Sequence, residues 1–173
     1  NDGSLLSTND QDHSSIDSLM VVTKARMRST VHRPVFLDYV GIRRVDASGN
    51  QVGEHRFLGL FSSAAYNQSV TNIPILSSKV VDVTESMALG RDSHSGKDLM
   101  QFLETYPRDE MFQISTNELE DVARRVLQLQ ERRQVRVFTR TEIFGRYVSA
   151  LVYLPRDRYT TEVRLRMEAI LLQ

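Results

Sequence analysis

Glu104, Asp109 and Glu110 crowd around Tyr106, Pro107 and Arg108, the densest run of side chains able to move protons. Paired carboxylates at close range can divide the roles of general acid and general base. The plainer reading is a helix end and a solvated turn in which Arg108 neutralises a neighbour. Histidine offers less. His13, His32, His55 and His94 are scattered, with no HExxH pattern and no pair four residues apart on one helix face, so a metal site is not expected. Ser62 and Ser63 follow Leu60 and Phe61 without the flanking glycines of a nucleophile elbow. Gly41, Gly49, Gly53 and Gly59 fit neither a dinucleotide fingerprint nor a phosphate loop. The sequence therefore points to no catalytic, cofactor-binding or metal-ligating residue in these 173 positions.

Composition narrows the field further. Lys plus Arg and Asp plus Glu number 22 each, so the net charge is zero. Proteins that live on nucleic acid or on anionic membranes carry a basic surplus, and neither partner is expected here. Arg132, Arg133, Arg136 and Arg140 make a local basic run, with only Phe138 interleaved as a base-stacking ring. The absence of cysteine removes disulfides and thiolate chemistry together. No apolar run approaches the roughly 20 residues of a membrane-spanning helix, and a soluble, cytoplasmic protein is the default expectation. The chain opens on Asn1 and closes on the apolar run ending Leu171, Leu172, Gln173, which suggests a piece of a longer polypeptide.

The elements that would position these residues can be read in order. Residues 1–18 are rich in Ser, Asp, Asn and Gln and read as a flexible lead-in. From Leu19 a β-like run continues with a period of two through Arg28, suited to a half-exposed strand beside the hairpin that follows. That hairpin spans 34–61, with Asp46 to Asn50 as its turn. Two helices are expected over about 73–105. The first has Asn72 as cap, Pro74 near its first position, Leu76, Val80, Val83 and Met87 inward, and Gly90 as stop. The second carries Leu99, Phe102 and Leu103, and Pro107 bars its continuation.

Met111 to Ile114 then reads as a short strand. Ser115 and Glu118 stand at capping-box spacing ahead of a helix whose buried stripe is Leu119, Val122, Val126 and Leu129. A second hairpin runs from Val135 through a turn at Phe144, Gly145 and Arg146 to Leu154. Thr160 or Thr161 caps a last helix with Val163, Met167 and Ile170 inward. From Met111 the order is β-α-β-β-α, the first five elements of a ferredoxin-like fold. The expected class is α+β, with antiparallel sheets and helices packed on one face. Its expected units are residues 19–110, and 111–173 as a truncated ferredoxin-like module. Pro-Arg-Asp occurs at both Pro107–Asp109 and Pro155–Asp157, a hint of an internal duplication.

Several stretches together resemble the N-terminal, non-catalytic region of the large bacterial NAD-specific glutamate dehydrogenases. They are Ser29 to Pro34 with Asp38-Tyr39, Gly53 to Phe61 with Ala65-Tyr66, Leu103 to Glu110, Phe144-Gly145-Arg146, and Val152 to Tyr159. The resemblance implies a parent chain that converts L-glutamate and NAD to 2-oxoglutarate, ammonia and NADH, with NAD bound outside this stretch. It implies ACT-like modules here, used in that family to bind amino-acid effectors and to hold subunits together. Partners would be the remainder of the parent chain and further copies. An effector would sit where ACT-like geometry places it, at the loop leading from the Met111 strand, on Ser115, Thr116 and Asn117. The alternative is that these three only cap the helix, and that the chain is a purely structural subunit-interaction module.

Overall fold

In a computed structural model the chain is described over residues 19–31, 33–90, 92–130 and 134–172. The lead-in, His13 and His32 lie outside those residues, as do Arg132 and Arg133 of the basic run. Strand β1 (Met20–Arg28) pairs antiparallel with β2 (Phe36–Val45), which pairs antiparallel with β3 (Gln51–Gly59). The result is the three-stranded meander expected from the alternation. Asp46 builds the turn by accepting the N–H groups of Ser48 and Asn50 at 2.8 and 2.9 Å. Gly49 takes φ +84°, the left-handed region where a side chain would be strained.

Helices follow: α1 (Ser63–Asn67), α2 (Leu76–Met87), α3 (His94–Thr105), α4 (Arg108–Gln113) and α5 (Thr116–Gln130). Val80 and Val83 of α2, Leu99, Phe102 and Leu103 of α3, and Leu119, Ala123 and Val126 of α5 close one apolar core. Val70, Met111 and Leu103 in it reach no solvent at all. Strand β4 (Arg136–Thr141) and β5 (Val148–Tyr153) then form a separate two-stranded antiparallel sheet, followed by α6 (Thr161–Leu171). Both sheets touch the helical core: Val22 packs on it from the first, with Phe61 just past β3, and Phe138, Leu151 and Tyr153 pack from the second. The architecture is α+β, as expected.

Four local expectations are corrected. Met111 to Ile114 is no strand: it belongs to α4 and its C-terminal boundary, so the order from there is α-α-β-β-α, and the expected division at 110/111 falls inside a helix. Four apolar-rich residues cannot distinguish a buried strand from a buried helical turn by periodicity. Helix α2 starts three residues late, because Val70–Asn72 forms its own 3-10 turn and Ile75 takes φ +72°. It stops at Ala88 in the left-handed conformation (φ +51°) and not at Gly90. Finally, Ile170 of α6 points outward, 69 % exposed, while Val163 and Met167 are half-buried. Thr160 does cap that helix, accepting the Val163 N–H. The repeated Pro-Arg-Asp has a local meaning: Pro107 and Pro155 are each the boundary residue at which a short helical segment begins.

Two substitutions should move stability in opposite directions. Ala88→Gly relieves a left-handed alanine and should raise the unfolding free energy by about 0.5–1 kcal/mol. Leu103→Ala empties a fully buried site and should lower it by about 2–5 kcal/mol. Urea unfolding followed by circular dichroism reads both.

Candidate functional site

The buried polar or charged residues among those described are Thr23, Asp38 and Glu142, and all three lie along one seam. It runs where β1, α4 and the β4–β5 turn meet. A buried charge must be paired and hydrogen-bonded to persist, and each of these is. Asp38 accepts Lys24 Nζ at 2.6 Å on one oxygen and the Phe61 N–H at 2.9 Å on the other. Lys24 also donates to Asp109 at 2.9 Å, and Asp109 accepts the Tyr66 hydroxyl at 2.9 Å. Burial works against a charge on Lys24, but the two carboxylates outweigh it and hold its pKa above the ordinary lysine value.

Glu142 is the centre of the other half. Its side chain is wholly screened from solvent. It accepts Thr23 Oγ1 at 2.5 Å, Arg146 Nη2 at 2.5 Å and the Phe144 N–H at 2.9 Å. Arg146 also donates to Thr23 Oγ1 at 2.9 Å. The turn that brings Glu142 and Arg146 together needs Gly145 at φ +65°. Burial alone would raise the Glu142 pKa; the bonds from Arg146, Thr23 and Phe144 outweigh it and hold it below the usual carboxylate range. Beside it, Tyr147 donates to Gln113 of α4 at 2.5 Å, and Gln113 donates back to the Asp109 carbonyl at 2.9 Å.

The three clustered carboxylates of the sequence are dispersed onto separate partners. Glu104 accepts Ser69 Oγ at 2.5 Å and Arg108 Nη2 at 3.1 Å. Asp109 goes to Lys24, and Glu110 is gripped bidentately by Arg140 at 2.9 and 3.0 Å. The solvated-turn reading is replaced by a tighter one, since Glu110 and Arg140 are both mostly buried. Lys79 of α2 closes the set, donating to the carbonyls of Met111, Phe112 and Ile114 at 2.9, 3.1 and 2.6 Å. Burial is the main force on this ammonium, and with Arg140 nearby it brings the pKa down to about 8.

Ser115, Thr116 and Asn117 stand at the start of α5. Ser115 is engaged in the expected capping box, accepting the Glu118 N–H at 3.2 Å while Glu118 accepts the Ser115 N–H at 3.1 Å. Its hydroxyl also donates to Glu118 at 2.7 Å. The strand that was to lead into this loop is the helix α4. Thr116 is half-buried and Asn117 exposed. Asn117 lines one wall of a cleft of roughly 500 Å³ between α5 and the β4–β5 sheet, with Glu118, Arg125, Phe138 and Arg140. His55 lies in β3 and His94 opens α3, and no group of three or more His, Asp or Glu among the described residues could hold a metal ion. No described helix is long and apolar enough to cross a membrane. Sequence reasoning missed Glu142 altogether. Its only signal was a Glu and an Arg four residues apart flanking a turn glycine; Thr23, 119 residues away, carries none.

Two stretches of this arrangement are similar to known protein families. Residues 73–132 match the glutamate dehydrogenase helical motif 1, and residues 136–173 match the glutamate dehydrogenase ACT2 domain. The α2–α5 bundle lies in the first match, and the β4–β5 hairpin with α6 in the second. Ser115, Thr116 and Asn117 fall in the helical motif. The chain is 43 % identical over 155 residues to the NAD-specific glutamate dehydrogenase of Halomonas elongata, covering 90 % of this chain and 10 % of that protein. The same enzyme of Pseudomonas aeruginosa matches at 43 % over 155 residues, with the same coverage. That of Mycobacterium tuberculosis matches at 41 % over 158 residues, 91 % of this chain and 10 % of the relative. The chain spans about one tenth of the length of these relatives, and the resemblance drawn from its motifs is borne out.

Glu142 gives the seam a pH dependence of definite sign. A carboxylate whose folded pKa is depressed binds fewer protons folded than unfolded, so it contributes stability above its unfolded value, near 4.5, and loses it as pH falls through the folded value. Glu142→Gln should cost about 3 kcal/mol at pH 7, as expected for breaking a buried pair. It should also flatten the acid limb of stability against pH below about 4.5. Urea midpoints at pH 7 and pH 4 for both proteins check this; parallel acid limbs would remove Glu142 from the account.

Proposed function

We propose that the chain is a non-catalytic regulatory and assembly segment of a cytoplasmic NAD-dependent glutamate dehydrogenase. In this reading the longer protein converts L-glutamate and NAD to 2-oxoglutarate, ammonia and NADH, and binds NAD outside this segment. The observation that carries it is the saturation of the seam. Glu104, Asp109, Glu110, Asp38 and Glu142 each have a cation of this same chain on them. A general acid or base must exchange a proton with substrate; these carboxylates instead accept from Lys24, Arg108, Arg140 and Arg146, joining β1, α3, α4 and the β4–β5 hairpin. Its partners are the remainder of the parent chain and further copies of itself.

A second reading rests on the cleft beside Asn117. Arg125 on its wall, with a largely exposed side chain, suits a carboxylate, and Glu118 suits an amino group, the chemistry of an amino-acid effector. Ser115, Thr116 and Asn117 would form its rim, with Ser115 giving up part of its capping box.

The 173-residue chain should show no glutamate-dependent reduction of NAD in a spectrophotometric assay; measurable turnover sinks the non-catalytic reading. Isothermal titration with a panel of amino acids decides between the other two. Silence into the millimolar range leaves assembly alone. Heat that disappears in Asn117→Ala establishes the effector cleft.

A further inference from the structure

β3 is hydrogen-bonded to β2 on one side and, among the described residues, to no strand on the other. Native proteins blunt such edges with charged side chains, Pro, bulges or a covering element. β3 carries no Lys or Pro and has a register irregularity near its start, at Val52; it runs for nine positions, exposes Val52, Phe57 and Leu58, and its charged side chains are the opposite pair Glu54 and Arg56. An edge left in this state accepts another strand through its backbone N–H and C=O groups.

Which strand it accepts is written in the order of its side chains. The central five are Gly53, Glu54, His55, Arg56 and Phe57. In an antiparallel pair, residues directly opposite share a face and interact. Set a second β3 alongside, with the twofold axis at His55. Glu54 then faces Arg56 of the partner subunit, Arg56 faces the partner's Glu54, and Gly53 faces the partner's Phe57. Moving the axis one residue either way puts Glu against Glu or Arg against Arg, and a parallel in-register pairing does both at once. Gly53 has open space on its side-chain face, with nothing nearer than 4.0 Å to a Cβ built there. A phenylalanine laid across an edge glycine fills such a gap. Within the chain, Arg56 and Glu54 already touch at 2.7 Å, and the Arg56 side chain is 56 % exposed, so it has donors to spare for a second carboxylate.

We propose that β3 is a self-complementary edge through which two copies of this chain join, antiparallel about His55, into one six-stranded sheet. This rests on the assembly reading above and names its surface and register.

The chain has no cysteine, so single introduced cysteines report the register directly. His55→Cys should form a disulfide-linked dimer under mild oxidation. Phe57→Cys, also exposed, should not, because its two copies would lie four residues apart along the strands, about 14 Å, beyond the reach of a disulfide. Light scattering of the unaltered chain should show the mass rising from 19.8 kDa toward twice that value with concentration. Arg56→Glu should weaken the dimer about tenfold by replacing two attractive cross-strand pairs with repulsive ones, and the exchange Glu54→Arg with Arg56→Glu should restore it. Phe57→Cys cross-linking as fast as His55→Cys overturns the proposal, as does a mass of 19.8 kDa at every concentration. A dimer indifferent to these substitutions overturns the β3 edge while leaving the assembly reading in place; that reading fails separately, on NAD turnover.

Discussion

One buried anion constrains much of this molecule. Glu142 carries a charge with no contact to solvent, and an unpaired carboxylate in such a place would cost several kcal/mol. Its partners come from two distances. Arg146 and the Phe144 N–H are local and arrive with the turn; Thr23 arrives from β1, at the other end of the chain. The local partners make the turn rigid. The distant one fixes where the β4–β5 hairpin sits against the first sheet, because a hydrogen bond at this length tolerates little displacement. Burial of the charge therefore costs energy and gives a unique docking geometry in return, the specificity role that buried polar groups can serve.

Helix α4 shows the same principle from the opposite side. Six residues are too few to hold a helix in water, and Arg108–Gln113 persists because neighbours grip it. β1 reaches Asp109 through Lys24, β4 reaches Glu110 through Arg140, and α2 reaches the C-terminal carbonyls through Lys79. Pro107 opens it, and Met111 and Phe112 fill the core beneath. None of those long-range anchors is visible in Met-Phe-Gln-Ile, which is why a strand is an equally good reading of those letters. The hairpin turn at Asp46–Asn50, the capping box at Ser115 and the stripes of α2, α3 and α5 were legible for the converse reason. Each is settled by residues within about one helical turn or one loop of each other. The stop at Ala88 instead of Gly90 went unread because a left-handed alanine defies local preference, and nothing in the structure explains it.

The candidate site divides along the same line. Crowding at Glu104–Glu110 could be seen in the sequence, but not its meaning, since each carboxylate answers to a cation from another element. Three acids within seven residues suggest proton chemistry only while their partners are unknown. Once Arg108, Lys24 and Arg140 are placed, each of the three acids has a cation, Lys24 being shared with Asp38, and the cluster becomes the joint at which α3, β1 and β4 meet. Glu110 and Arg140 make this clearest. Their bidentate geometry is the strongest form of such a pair, and it leaves neither group free for a substrate.

Burial is distributed unevenly, and the unevenness follows from these joints. The helical bundle keeps Val70, Leu76, Leu103, Met111 and Leu119 dry, because four helices can surround a common axis. A three-stranded sheet cannot do this. β1 is covered where α4 and the seam reach it, burying Val21, Thr23 and Ala25, whereas β3, two strands away, leaves Phe57 and Leu58 exposed on opposite faces. Polar anchoring of a sheet through one edge strand leaves the far strand without cover, since the anchors act over hydrogen-bond distances while each strand adds about 4.8 Å. Among the described residues, the same ion pairs that lock β1 to the bundle thus leave β3 with apolar side chains exposed on either face and no strand along its outer edge.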